Sequence, residues 1–245
     1  MHKEYHRWYS PNLGQEMPLV VYGHYGWPLL MFPTAGADCE EYERFNLIDA
    51  IAPHLDAGLV KIYSINSINR ESWLADHVPP PERARRQVLY DRYVAEEVAP
   101  FIQWHCQTPG IPIATSGVSF GAFHTANTLF KHPDKFKCVI AISGSYDIRP
   151  YCHGYHDDNV YFNNPVEYLP NLEDPVILEQ LRQCSINIIT GQGAYEAPER
   201  SYQLSEILWR KGIPHNLDVW GHDVNHDWPW WYRMYNYYLP KLFGR

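Results

Sequence analysis

The sequence has no long hydrophobic run, no block of like charges and no cysteine spacing typical of a disulfide framework. Without an apolar stretch of transmembrane length, no segment is expected to cross a membrane. The first nine residues, Met-His-Lys-Glu-Tyr-His-Arg-Trp-Tyr, lack the apolar centre of a secretory signal peptide. The five cysteines are an odd number and form no Cys-x-x-Cys pair. Together these features predict reduced thiols and a cytoplasmic location.

The charge balance narrows the range of partners. A formal net charge of −8 disfavours nucleic acid and anionic membrane surfaces. No repeat, linker or change in composition divides the 245 residues, so we expect a single domain over residues 1–245. We therefore expect a small molecule as the partner, with a homo-oligomer left open.

Aromatic residues, by contrast with the features that are missing, are abundant in the sequence. Nine Trp, nineteen Tyr and nine Phe are more than a core of this size needs. Because Tyr and Trp combine a large apolar body with a polar group, some of them are expected to line a wide cleft.

The hydrophobic pattern alternates between strand-like and helix-like periods. Two β-like runs at 4–9 and 17–22 predict an antiparallel pair, and compact apolar runs follow at 28–32, 59–65, 138–142, 186–190 and 216–220. Helical periods lie between them, including one over 42–51 that should stop at Pro53 and one over 82–103 that Pro100 should kink. Strands that alternate with helices predict an α/β fold with a mainly parallel sheet and helices on both faces.

One motif organises the chain. Residues 117–121 read Gly-Val-Ser-Phe-Gly, after an apolar strand-like run and before a helical period over 122–130. A G-x-S-x-G sequence between strand and helix is typical of a nucleophile elbow, in which a sharp turn exposes the serine hydroxyl. We therefore predict that Ser119 is a catalytic nucleophile.

A serine hydroxyl needs a base, and the base needs an oriented partner. In an open α/β sheet both must come from loops at the carboxyl ends of strands. Glu196 follows the strand-like run at 186–190, whereas His222 and His226 follow the run at 216–220. The order Ser119, Glu196, His226 is that of α/β-hydrolases.

Other carboxylates compete with Glu196. Asp218 lies inside a strand and should face solvent, Asp223 is too close in sequence to His226, and Glu199 suits the first turn of a helix. The two histidines four residues apart could also bind zinc, but no HExxH glutamate and no third ligand accompany them. We expect neither a metal nor a cofactor.

At this point the chain resembles the esterase D branch of the α/β-hydrolases, which includes S-formylglutathione hydrolases, enterochelin-type esterases and mycolyltransferases. The resemblance runs from about residue 28 to the C-terminus and rests on four segments: Gly-Val-Ser-Phe-Gly-Ala at 117–122, Ala-Ile-Ser-Gly-Ser at 141–145, Gly-Gln-Gly-Ala-Tyr-Glu at 191–196 and His-Asp-Trp-Pro-Trp-Trp at 226–231. It implies an α/β-hydrolase fold and a serine esterase acting on esters or thioesters. It also favours His226 over His222 as the base and Glu196 as the acid. The loop Phe-Pro-Thr-Ala-Gly-Ala at 32–37 departs from the group's usual His-Gly or Leu-Ser-Gly-Leu, which leaves the acyl preference open.

The oxyanion hole needs two backbone N–H groups. The elbow provides Phe120, and the group's pattern implies Ala37 as the second donor, with Gly36 or Asp38 as alternatives. Acyl transfer to an alcohol would use the same residues, and a binding protein on this scaffold would be expected to have lost part of the triad.

Residues 146–174 show no clean period and are rich in Tyr, His, Asn and Pro. Long irregular segments in compact domains usually have a function, so we expect this one to cap the cleft. The predicted substrate-binding residues are Trp73, Tyr151, Tyr155 and Trp228. Aromatic walls predict substrates with an aromatic or extended apolar group.

Overall fold

The computed structural model describes residues 2–244. Its centre is an eight-stranded sheet in the order β1-β2-β4-β3-β5-β6-β7-β8. β1 and β2 form the predicted antiparallel pair, β2 joins β4 antiparallel, and all remaining neighbours are parallel. The strands are β1 (Lys3–Ser10), β2 (Gln15–Tyr22), β3 (Trp27–Phe32), β4 (Val60–Ile65), β5 (Ile113–Val118), β6 (Phe136–Ile142), β7 (Ser185–Thr190) and β8 (Asn216–Val219).

Helices cover both faces of this sheet. They are α1 (Glu41–Arg44), α2 (Leu47–Ala50), α3 (Ala52–Asp56), α4 (Pro80–Arg92), α5 (Ala99–His105), α6 (Phe120–Lys131), α7 (Asp158–Tyr161), α8 (Pro165–Tyr168), α9 (Pro175–Arg182), α10 (Pro198–Arg210) and α11 (Trp228–Phe243). Three 3₁₀ turns (Asn69–Glu71, Arg149–Tyr151 and Leu169–Asn171) and a π-helical stretch (Tyr93–Val98) complete the set.

The buried strands explain the two layers of core. Successive side chains of a strand point to opposite faces. In β3, Leu30 and Phe32 therefore join the core beneath α4, α5 and α6, whereas Leu29 and Met31 join the core beneath α11. A strand buried on both faces reads as a continuous apolar run, which is why β3 was recognisable in the sequence.

The helical period over 42–51 is not one helix. It forms two short ones, α1 and α2, and α3 follows directly. The chain breaks between α1 and α2 at Asn46, whose φ of 58° is left-handed. Pro53 lies in the first turn of α3 rather than after the last turn of a helix. This position suits proline, because the first N–H groups of a helix have no intrahelical partner.

Pro100 changes the long helix in a different way from the expected kink. The helix continues from α4 through the π-helical stretch into α5, with Pro100 in the first turn of α5. Proline has no N–H to donate to the preceding turn, and a wider π turn accommodates that loss.

The segment 146–174 contains two short helices, α7 and α8, and two of the 3₁₀ turns. It packs on the rest of the chain: the Tyr168 hydroxyl donates to Asn127 of α6 at 3.1 Å, and Arg83 of α4 donates to the Tyr151 carbonyl at 3.2 Å.

No helix within residues 2–244 is long and apolar enough to cross a membrane. All five cysteines are free thiols.

Candidate active site

Ser119 lies in a strained turn between β5 and α6. Its φ of 56° and ψ of −122° fall where L residues rarely lie, which costs about 1–3 kcal/mol. Glycine on either side permits the turn: a Cβ on Gly117 would lie 2.4 Å from the Gly121 carbonyl carbon, and one on Gly121 would lie 2.3 Å from the Phe32 carbonyl oxygen. The Ser119 N–H donates to the Ile142 carbonyl at 2.9 Å, which ties the turn to β6. The half-buried serine side chain is therefore held at the carboxyl edge of the sheet.

Glu196 and His226 come together from two separate loops. The imidazole Nδ1 of His226 lies 3.6 Å from Oε1 of Glu196, which is an ion-pair distance rather than a short hydrogen bond. The Glu196 side chain is 1% exposed and that of His226 is 24% exposed. The backbone N–H of His226 donates to the Ala194 carbonyl at 3.0 Å, so the two loops are joined next to the pair.

The Glu196 carboxylate is buried, and it accepts hydrogen bonds from two side chains. Ser143 donates to Oε1 at 2.6 Å and Thr190 donates to Oε2 at 3.0 Å. The Trp231 indole N–H in turn donates to the Ser143 hydroxyl at 3.2 Å. Burial acts to raise the pKa of Glu196, but the interactions with His226, Ser143 and Thr190 outweigh it and lower the pKa from the ordinary value of 4.5. The carboxylate is therefore ionised at neutral pH.

The sequence motifs assigned no role to Ser143, Thr190 or Trp231, although Ser143 and Trp231 lie in segments that carry the family resemblance. Ser143 follows β6 directly and Thr190 ends β7, so both occupy the carboxyl edge where functional groups gather. Their position could have singled them out, although their contact with Glu196 could not be read from spacing.

Glycines allow the two loops to touch. A Cβ on Gly191 would lie 2.3 Å from the Val224 carbonyl oxygen, and one on Gly193 would lie 2.3 Å from Oδ1 of Asn225. The Gly193 N–H donates to the Val224 carbonyl and the Ala194 N–H donates to Oδ1 of Asn225, both at 2.8 Å. This close approach brings Glu196 to the loop that carries His226.

The other histidine and carboxylates that the sequence offered for the triad do not take part in the contact between Glu196 and His226. His222 and Asp223 are exposed. Asp218 does not face solvent freely as expected, because it accepts hydrogen bonds from Tyr238 at 2.6 Å and Trp220 at 3.0 Å. Glu199 is in the first turn of α10.

The backbone of the turn at residues 34–37 does not favour Ala37 as the oxyanion donor. Its N–H donates to the Thr34 carbonyl at 3.2 Å, because residues 34–37 form a turn, and it is therefore already engaged. Within residues 2–244, neither Ala35 nor Gly36 of the same turn donates its N–H to an acceptor. Phe120, the first residue of α6, presents its N–H at the helix N-terminus.

A buried hydrogen-bond chain holds this turn. The Asn69 side-chain amide donates to the Ala35 carbonyl at 2.5 Å, and its Oδ1 lies 2.8 Å from Nε2 of His124. His124 is in α6, one turn beyond Ser119, and is 2% exposed. Burial lowers the pKa of His124 to about 3, so the ring is neutral at physiological pH.

The four predicted substrate-binding residues fall into two groups. Trp73 is 1% exposed and packs in a core cluster with Phe120 and Phe123, so it does not line an open cleft. Tyr151 is half-buried, with its ring 5.2 Å from that of Phe120, and the half-buried Tyr155 donates its hydroxyl to Asp157 at 2.8 Å. Trp228 lies in the other group, where it stacks on Phe45 at 4.8 Å.

A cavity of about 680 Å³ opens beside the turn that follows β3. Gly36, Ala37, Phe45 and Arg70 are among its lining residues. It borders the Trp228 group through Phe45, whereas Tyr151 and Tyr155 do not line it.

Comparisons with known proteins agree with this architecture. The family described as "Putative esterase" matches residues 63–237. A ferulic acid esterase is similar in structure with a TM-score of 0.76 at 18% identity, covering 99% of this chain and 97% of that one. S-formylglutathione hydrolase from Staphylococcus aureus has a TM-score of 0.72 at 14% identity, with 98% and 99% covered. MPT51 from Mycobacterium tuberculosis has a TM-score of 0.74 at 12% identity, with 100% and 98% covered.

No curated protein sequence matches the chain. The family match nevertheless spans well over half of the residues, and the similar structures share the predicted α/β-hydrolase fold. The chain belongs to the "Putative esterase" family and is a serine hydrolase of the carboxylesterase type.

Proposed function

We propose that Ser119, His226 and Glu196 are the catalytic triad of this esterase. The observation that carries the proposal is the contact between His226 and the buried, ionised Glu196 at the sheet edge where the strained Ser119 is presented. In this assignment Glu196 orients the imidazole through Nδ1, which leaves Nε2 to take the proton of the serine hydroxyl.

The reaction proceeds through an acyl-enzyme. Ser119 Oγ attacks the acyl carbon while His226 accepts its proton, and a tetrahedral oxyanion forms. His226 then returns the proton to the leaving alcohol or thiol as the acyl bond breaks. Water, activated by the same imidazole, attacks the acyl-enzyme and releases the acid, which restores the Ser119 hydroxyl.

We assign the oxyanion hole to the N–H of Phe120 and to the turn at Ala35 and Gly36. The support for this choice is that both N–H groups of the turn lack an acceptor within residues 2–244, whereas that of Ala37 is engaged. A single donor of this kind contributes roughly 3–4 kcal/mol to transition-state stabilisation.

We propose an ester of an aromatic acid as the substrate. The half-buried ring of Tyr151 beside Phe120, the residue after the nucleophile, supports a flat apolar subsite. The similarity to a ferulic acid esterase points in the same direction. Trp73 belongs to the layer beneath this subsite rather than to its surface.

The proposal also covers the domain organisation, the cellular location and the partner of the protein. We propose one domain over residues 1–245, with 146–174 as a cap beside the cleft. We also keep the cytoplasm as the location, because free thiols suit a reducing compartment. A net charge of −8 supports a small molecule rather than nucleic acid as the partner.

A fluorophosphonate label tests the nucleophile. We expect one label per chain, located on Ser119 by peptide mapping, and no label or turnover in Ser119→Ala. Losing a triad nucleophile can lower kcat about a millionfold. A label on another serine, or full turnover in the variant, would contradict the assignment.

An ester panel tests the substrate class. Methyl ferulate, p-nitrophenyl esters of increasing chain length and an S-acyl glutathione should be compared by kcat/KM, with and without an added alcohol acceptor. We expect the aromatic acid ester to be preferred and hydrolysis to exceed transfer. A labelled Ser119 without turnover of any ester would indicate a binding protein on this scaffold.

A further inference from the structure

One carboxylate and two imidazoles converge at the sheet edge away from the active site. Glu4 and His6 lie on β1, and His105 ends α5. β1 is the outermost strand, and β2, β4 and β3 separate it from β5, which leads into Ser119. The cluster is therefore independent of the proposed triad.

The strand geometry explains why Glu4 and His6 face the same way. Residues two apart in a strand share one face. In β1 the half-buried positions are Glu4, His6 and Trp8, which face the packed side, while their neighbours are exposed. His105 approaches the same point from the helix, 101 residues away from Glu4 in sequence.

The distances fit a shared cation. Glu4 Oε2 lies 3.1 Å from Nε2 of His105 and 3.2 Å from Nε2 of His6. One ligand atom from each of the three residues lies within 4.8 Å of those of the other two. Tetrahedral Zn²⁺ with bonds of about 2.0–2.1 Å separates its ligand atoms by about 3.3 Å. Only small side-chain movements are needed to place one ion between these atoms.

The second nitrogen of His105 is also held. Its Nδ1 lies 3.0 Å from the Tyr63 hydroxyl, which lies 3.1 Å from the Cys106 sulfur. With the Tyr63 O–H donated to that sulfur, the His105 Nδ1–H can donate to the tyrosine oxygen. Without an ion, Nε2–H of His105 donates to Glu4. With an ion bound, the tautomer protonated at Nδ1 gives Nε2 a lone pair for the metal, as a ligand requires.

Aromatic rings support both imidazoles. Phe101 lies 5.0 Å from the His6 ring and stacks on the His105 ring at 5.5 Å. The rings of the two histidines lie 5.2 Å apart. Ligands held by packing lose little freedom on binding, which favours a preformed site.

We propose that Glu4, His6 and His105 bind one Zn²⁺ ion. Two nitrogens and one carboxylate oxygen form three of its four bonds. The fourth position is open to water or to His2, whose Nε2 lies 2.7 Å from the other Glu4 oxygen. The ion would tie the edge strand β1 to α5 and so stabilise the folded chain.

Zinc titration of the untagged, metal-free protein tests this site. Calorimetry and elemental analysis should give one Zn²⁺ per chain, and thermal unfolding should shift to higher temperature with Zn²⁺. Glu4→Gln and His105→Ala should each lose the bound ion and the shift. The control His24→Ala, a change at an exposed histidine outside the cluster, should keep both.

Chemical footprinting of the wild-type chain covers the case in which a variant fails to fold. Diethyl pyrocarbonate modifies free imidazoles, so Zn²⁺ should protect His6 and His105 and leave His24 unchanged. The proposal is overturned if the wild type binds no Zn²⁺. It is equally overturned if bound Zn²⁺ leaves His6 and His105 reactive, or if binding survives in folded Glu4→Gln and His105→Ala. Fluorophosphonate labelling of Ser119 is a separate measurement, so the test of Zn²⁺ binding and the test of the nucleophile can fail independently.

Discussion

His226 and His222 belong to the same loop but have different surroundings. His226 contacts the buried Glu196 and packs its ring 5.0 Å from Trp231, whereas His222 is exposed. A catalytic imidazole needs both an oriented tautomer and a fixed ring, and only the His226 side chain has partners for both among the described residues.

Replacement of the two histidines separates their roles. We expect His226→Ala to lower kcat nearly as much as loss of Ser119, because triad members act as a unit. His222→Ala is the matched control and should keep kcat within a few-fold of the wild type. Steady-state hydrolysis of one p-nitrophenyl ester measures both. A larger loss in His222→Ala would show that the wrong histidine has been assigned.

Asn69 holds the turn to which we assign the second oxyanion donor. Its amide holds the Ala35 carbonyl and is itself fixed by the buried His124. The peptide group that carries this carbonyl also carries the Gly36 N–H, so the hydrogen bond sets where that N–H points.

We expect Asn69→Ala to lower kcat by roughly 10–100-fold with little change in KM. The loss is bounded by the roughly 10²–10³-fold effect of removing a whole donor. Ser67→Ala removes a neighbouring hydrogen bond, from the Ser67 hydroxyl to the Ala37 carbonyl at 2.9 Å, and is the control. Equal losses in both variants, or a loss confined to KM, would contradict a positioning role for Asn69.

At the scale of elements, the segment 146–174 combines core and surface residues. Tyr146 and Tyr168 are buried, at 1% and 9% exposure, and pack in the main core. Tyr151 is half-buried against Phe120, whereas Phe162 is 56% exposed. Of these four rings, Tyr151 is the one that packs against the side chain of Phe120, the residue after Ser119.

Truncation of Tyr151 tests whether the segment forms the acyl subsite. We expect Tyr151→Ala to change the ratio of kcat/KM between methyl ferulate and p-nitrophenyl acetate by roughly 10–200-fold, the range for pocket contacts. Labelling of Ser119 should survive, and Phe162→Ala should leave the ratio unchanged. A uniform loss for all esters together with a lower Tm would show that Tyr151 is ordinary core.

For the whole molecule, the buried neutral His124 links stability to pH. Its pKa is about 3 in the folded chain, because burial disfavours the charged ring, against an ordinary value of 6.5. Above pH 6.5 the ring is neutral in both states and the folded state keeps its full stability. Below that pH the unfolded chain binds the proton and the folded chain does not, so stability falls as pH drops towards 3.

Between pH 7.5 and pH 5 this difference costs the folded state about 2 kcal/mol. Urea unfolding at the two pH values measures it. His124→Gln keeps an amide that can reach Asn69 but cannot titrate, so its stability should fall by about 2 kcal/mol less over the same interval. The exposed His24→Gln is the control. An unchanged pH dependence in His124→Gln would show that the ring does not resist protonation in the folded chain.

The contributions of Glu196 and Asp91 to folding stability change with pH in a lower pH range than that of His124. Burial raises the pKa of each carboxyl, but the partners lower it further, His226 foremost for Glu196 and His132 foremost for Asp91. Their contribution to stability is present above the ordinary carboxyl range and is lost as pH falls below it. Measurements at pH 5 therefore isolate the histidine effect.

Local signals in the sequence determined the sheet and the elbow. Strands buried on both faces read as apolar runs, and Gly117-Val-Ser-Phe-Gly121 required its own turn because only glycine fits that close approach. These features depend on neighbours along the chain. The order of strands and loops likewise placed Glu196 and His226 in the loops that follow β7 and β8, and their catalytic roles stay a prediction.

The tertiary structure alone decided the contacts between residues that are far apart in the sequence. The contacts of Ser143 and Thr190 with Glu196, the engaged N–H of Ala37 and the burial of Trp73 each depend on packing between separate elements. Glu4 and His105 likewise meet only because β1 joins the sheet edge beside α5. The spacing of residues in the sequence does not predict such contacts, because they depend on the three-dimensional path of the backbone.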